Sequence, residues 1–128
     1  MTSRTEYISL FHNCATEFLT AMEEAFPSNK KLLKYNRKYQ MSRDANVHQA
    51  IQYFKHYMLD YKQAIIEKNI DVFLNIELDE DADEENILDA LQIKKMWSKS
   101  SEKDKIDNAE TIFKYLKLLL FFAEKVYE

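Results

Sequence analysis

Three sets of side chains in this sequence have the types and spacings that chemistry needs. Nucleophilic catalysis would use Cys14 with His12 as its activating base. Two positions apart on a helix, the two side chains point to nearly opposite sides and cannot pair locally. Cys14 also falls on an apolar stripe, where a buried, inert thiol is the ordinary outcome. For metals, His56 and Asp60 stand four apart and could share an ion, but two ligands do not complete a site. His12 and His48 have no ligand-spaced companions, and all three histidines are expected at the surface. The stretch Asp79-x-Asp81-x-Asp83 opens like a calcium-binding EF-hand loop. That loop requires glycine at its sixth position and a bidentate glutamate at its twelfth. Counting from Asp79 these are Glu84 and Ala90, and counting from Asp81 they are Asn86 and Gln92. The segment 77–85 is therefore read as an acidic surface loop, with Asp79, Glu80, Asp81, Asp83 and Glu84 available to a basic partner.

The third set is cationic. Lys30, Lys31, Lys34, Arg37, Lys38 and Arg43 follow one another with no acid between Phe26 and Arg43. Tyr35 and Tyr39 interleave with them, as aromatics do in nucleic-acid binders. Their four-residue spacing beside Leu32 points them at the core instead. Three readings fit the segment: a face that is solvated or paired with the chain's own 77–85 loop, a contact for a protein partner, or a contact for nucleic acid.

The elements that must carry these groups are constrained by composition. The chain has no glycine at all in 128 residues, against about nine expected from background usage. Tight hairpin turns and the phosphate-cradling loops of nucleotide-binding folds both depend on glycine, so those folds are excluded and the turns fall to Asn, Asp and Ser. A single cysteine rules out an internal disulfide and fits a reducing compartment. The longest apolar run, Leu118 to Ala123, is far short of the ~18 residues of a membrane span, and the first residues lack the apolar region of a signal peptide. A soluble, intracellular, single-domain protein over residues 1–128 is expected, with no cofactor, metal or small-molecule substrate. Its net charge is −4.

Helical periodicity runs through the sequence. Tyr7, Phe11, Cys14, Phe18, Met22 and Ala25 share one face of a first helix, capped at Thr2 or Ser3 and stopped by Pro27. Ser28 or Asn29 caps a second helix reaching about Gln40, with Leu32, Tyr35 and Tyr39 inward. After a turn at 42–46, Val47, Ala50, Ile51, Phe54, Met58, Tyr61 and Ile65 line a third, ending near Asn69. Ile70 to Leu78 is read as a helical turn and linker, and about 86–98 as a short helix presenting Ile87, Ala90, Leu91 and Trp97. Ser101 begins a final helix in which Ile106, Ala109, Phe113, Leu116, Leu120, Ala123 and Tyr127 step in a seven-residue repeat. Leu118, Leu119, Phe121 and Phe122 make its other faces apolar as well, which suits either the centre of a bundle or half of an oligomer interface. The fold expected is all-α: one compact bundle of four to five helices with a central, largely buried C-terminal helix.

Several phrases carry a family resemblance. They are Ala25-Phe26-Pro27, Tyr61-Lys62-Gln63-Ala64-Ile65, Asp71-Val72-Phe73-Leu74, Ile93-Lys94-Lys95-Met96-Trp97, and the run from Lys105 through Thr111-Ile112-Phe113-Lys114-Tyr115-Leu116-Lys117-Leu118-Leu119. Together the sequence resembles a group of small all-helical proteins of large nucleocytoplasmic DNA viruses, most closely in its final third. That group often carries tryptophan where this chain has Phe113. The resemblance implies a viral source and a place in the host cytoplasm or the virion, and it adds no catalytic residue. The function expected is a non-enzymatic protein-interaction or structural component, with a protein partner or self-association. The alternative is a nucleic-acid-associated protein working through residues 30–43.

Overall fold

A helix begins where a side chain can satisfy backbone donors that have no partner within the helix. Ser3 Oγ accepts from the Glu6 N–H (3.2 Å) and Asn29 Oδ1 from the Leu32 N–H (3.1 Å). Ser101 Oγ accepts from the Asp104 N–H (3.2 Å). A computed structural model of the protein describes residues 2–75, 91 and 93–128. Among them run α1 (Arg4–Ala25), α2 (Lys30–Ser42), α3 (Gln49–Met58), a 3₁₀ turn (Leu59–Tyr61), α4 (Lys62–Glu67), α5 (Ile70–Leu74), α6 (Ile93–Lys99) and α7 (Glu102–Val126), with no strand. The acidic stretch 77–85 and the start of the helix expected from residue 86 lie outside the described residues.

The architecture is an all-α bundle in which α7 packs against α1, α3 and α4. Ring contacts give the direction of the main seam. Arg4 lies over Tyr127, Tyr7 meets Phe122, and Phe18 stacks on Tyr115 at 5.1 Å. Rising numbers in α1 thus meet falling numbers in α7, so the two helices are antiparallel. Phe11, Phe18, Leu19 and Met22 from α1 and Ile112, Leu116, Leu119 and Ala123 from α7 are all buried in the one core. Ile51 and Met58 from α3, Leu32 from α2, Ile65 from α4, Phe73 from α5, and Ile93 and Met96 from α6 join them.

Ala25, the last residue of α1, is exposed rather than part of the buried face, and two further expected core positions are corrected. Ile106 is 61% exposed, while Ala109, one turn further on, is half-buried against the core. Val47 is 39% exposed and precedes α3. There Asn46 Oδ1 accepts from the N–H groups of His48 (3.2 Å) and Gln49 (3.1 Å) and sets the helix start two residues later. The third helix of the sequence reading also divides, its register tightened by the 3₁₀ turn between α3 and α4.

Without glycine, the left-handed position that ends α4 falls to Lys68 (φ 55°, ψ 43°). Its N–H and that of Asn69 close the helix on Ile65 O and Ala64 O. A Cβ in this region costs about 1–2 kcal/mol, which glycine avoids at some entropic cost. Lys68→Gly should therefore raise the free energy of unfolding by about 1 kcal/mol in urea denaturation, and Lys68→Ala should give no comparable gain.

Candidate functional site

The cations of α2 occupy the side opposite its buried stripe. Leu32 and Tyr39 are buried and Tyr35 is half-buried against the core, whereas Lys30, Lys34, Arg37 and Lys38 are exposed and Lys31 is half-buried. Met41 is 77% exposed. It stands seven, four and three residues after Lys34, Arg37 and Lys38, which puts it on their face. The helix is held against α1 by its polar flank. Asn36 Nδ2 donates to Glu23 Oε1 (2.9 Å) and Gln40 Nε2 to Thr16 Oγ1 (3.2 Å). Arg43 stands apart from this surface. It is half-buried, its Nη1 donates to Thr16 Oγ1 (2.7 Å), and its Nε lies 3.7 Å from Asp44. Its charge is used in tying the end of α2 to α1. The acidic candidates Asp79, Glu80, Asp81, Asp83 and Glu84 lie outside the described residues.

His12 is not the surface residue its sequence context suggests; it is only 7% exposed. A polar ring can be buried here because both of its nitrogens find partners from other segments. Nε2 lies 2.8 Å from Val47 O and Nδ1 lies 2.5 Å from the Tyr39 hydroxyl. A carbonyl can only accept, so Nε2 carries the proton and Nδ1 accepts from Tyr39 O–H. The neutral ring therefore satisfies every polar group in the cluster. Burial holds His12 below its ordinary pKa, opposed by the hydrogen bond to Val47, with Arg43 adding to the depression. Asp44 opposes it weakly and His48 adds weakly. Burial likewise raises the Tyr39 hydroxyl well above its ordinary value.

His48 is half-buried and anchors a second cluster at the C-terminal end of α7. The Tyr127 hydroxyl is 3.1 Å from His48 Nδ1 and donates to His48 O (3.3 Å). Arg4 and Lys55 lie over the Tyr127 ring at 5.7 and 5.4 Å. Only His56 is exposed as expected.

Cys14 is buried, and burial pushes its thiol up to about 11, with Glu17 adding and Lys114 opposing. At neutral pH it is a thiol and not the nucleophilic thiolate. Among the described residues no group of three or more His, Cys, Asp or Glu is placed to hold a metal ion, and no helix is long and apolar enough to cross a membrane. Beside the His12 cluster, Phe11, Ala15, Leu19, Tyr35, Tyr39, Ala50, Phe54 and Leu119 line a cavity of about 10 Å³, room for one water at most. Compared with known family models, curated proteins and solved structures, the chain shows no significant match to any of the three.

Folding withholds His12 from the proton while the unfolded chain takes it up. Because the folded pKa lies below the ordinary value near 6.5, this part of the stability is complete above that pH and is lost as pH falls through and below it. His12→Phe leaves the Tyr39 hydroxyl and the Val47 carbonyl without their partner and should cost about 1–3 kcal/mol at neutral pH. Denaturant midpoints measured from about pH 7.5 to 5 should fall less steeply in this variant than in the parent.

Proposed function

We propose that the protein is a non-catalytic interaction component, and that α2 presents its cationic face to an acidic segment of a protein partner. The observation that carries this reading is the arrangement on α2: Lys30, Lys34, Arg37 and Lys38 exposed on one side, with Met41 77% exposed among them. Four cations alone would suit any polyanion. A large exposed apolar side chain among them suits a peptide that offers both carboxylates and an apolar contact, since exposed methionines recur on surfaces that accept varied helices. The chain as a whole carries −4, so this concentration of positive charge is local and can steer an acidic partner to one face.

The nucleic-acid reading has less support. Its strongest sequence signal was the alternation of tyrosines with cations, and Tyr39 is buried while Tyr35 packs against the core. Base stacking at those rings is thereby removed, leaving phosphate contacts alone. On the resemblance to proteins of large nucleocytoplasmic DNA viruses, the setting proposed for this contact is an infected cell or a virion.

The test is purification of the tagged chain from its native source, beside a variant with Lys30, Lys31, Lys34, Arg37 and Lys38 all changed to Glu. A co-purifying protein whose protected segment is acidic, lost on charge reversal and weakened at least tenfold by raised salt, is the expected result. Capture that ignores the reversal defeats the reading. Recovery of nucleic acid in place of protein, with a steep salt dependence, replaces it with the alternative. Circular dichroism of the variant checks that α2 still folds.

A further inference from the structure

A second surface, independent of α2, lies along the seam of α1 and α7. Leu10 is 40% exposed, Leu118 37% and Phe121 47%. Tyr7 ties them into a continuous apolar strip, its ring lying 6.2 Å from Phe121 and 6.4 Å from Phe122. The strip is bordered unequally. On the α1 side stand Glu6, Glu17 and Glu24, all exposed; on the α7 side stand Asp107 and Lys114, exposed, and Lys125, half-buried and 2.9 Å from Glu128. The antiparallel pairing of Arg4 with Tyr127 and Phe18 with Tyr115 sets the levels. Glu6 is level with Lys125, Leu10 with Phe121, and Glu17 with Lys114.

From this we infer that the α1–α7 face binds a second copy of the chain about a two-fold axis parallel to the two helices. Such an axis lays α1 of each copy over α7 of the other and preserves the levels. Glu17 then faces Lys114 and Glu6 faces Lys125, two opposite-charge contacts against the single like-charge contact of Glu24 with Asp107. Leu10 meets Phe121 between them, and all of these contacts occur twice. A two-fold perpendicular to the helices would lay α1 on α1 and bring acid to acid. The size is adequate. The 22 residues of α1 make a face about 33 Å long, and two helices side by side make it about 20 Å wide. That approaches the ~800 Å² per partner of an ordinary stable interface. The result would be an antiparallel four-helix arrangement with the charge pattern choosing its register.

The test is the mass of the full chain in solution by sedimentation equilibrium at about 100 µM, well above a micromolar Kd. The expected mass is twice 15.3 kDa. Phe121→Glu, made at an exposed position, should raise the dimer Kd about a hundredfold while leaving the far-ultraviolet dichroism and thermal midpoint of the monomer unchanged. Lys114→Glu should weaken the dimer about tenfold, and the exchange Glu17→Lys with Lys114→Glu should restore it. The five-fold charge reversal on α2 should leave the mass unaltered, which separates the two surfaces. A 15.3 kDa monomer at that concentration, a dimer indifferent to Phe121→Glu, or a dimer that the charge exchange fails to rescue each overturns the inference.

Discussion

The apolar stripes of α1 and α7 meet along an antiparallel seam, and the other elements are arranged around it. Two helices of 22 and 25 residues supply most of the large buried side chains in a chain with no disulfide and no described metal cluster. Burial of an apolar side chain of this size is worth about 1.5–3 kcal/mol. The seam alone can therefore offset much of the entropy lost in ordering the shorter pieces. Truncating a fully buried side chain such as Leu116 would be expected to cost several kcal/mol. The short helices α4 and α5 are only six and five residues long, below the length at which an isolated helix persists in water. They exist because Ile65 and Phe73 have the seam's core to enter.

Directionality comes from a small number of polar contacts. His12 joins α1 to Tyr39 of α2 and to the backbone at Val47, just before α3. Thr16, one turn further along α1, receives both Gln40 and Arg43. One residue beyond Val47, His48 bonds with Tyr127, which lies beneath Arg4 and Lys55. Apolar packing tolerates sliding, whereas a buried donor without its acceptor costs about 1–3 kcal/mol. These clusters therefore select one placement of the 43–48 connection from among several that would bury similar area. Burial favours the neutral form of His12 against the pull of the Val47 hydrogen bond, and the tautomer of that form is set by a carbonyl that can accept and never donate.

The surface divides into faces of different character. The outer side of α2 is cationic around an exposed methionine, while the α1–α7 seam carries an apolar strip with Glu6 and Glu17 along α1 and Lys114 and Lys125 along α7. As proposed, the first meets an acidic partner and the second meets another copy of the chain. The two proposed contacts draw on different helices and share no residue.

Composition and periodicity were sufficient for the fold class, the cap at Ser101, the stop at Pro27, and the burial of Leu32, Tyr39 and Cys14, and they narrowed the first two caps to Thr2 or Ser3 and Ser28 or Asn29. Those features depend on residues within a turn or two of one another, and helical geometry relates such neighbours without reference to the rest of the chain. The burial of His12 and the inward turn of Arg43 depend on groups that sequence spacing does not bring together. His12 meets Tyr39 across 27 residues and Val47 across 35. No periodic signal encodes such a meeting, because a polar ring on the flank of an amphipathic helix reads as solvated until a second helix arrives with partners. The apolar strip was half visible, as a last helix too greasy on every side. Which part of that grease stays outside was settled when α1 covered one flank of α7 and left Leu118 and Phe121 uncovered.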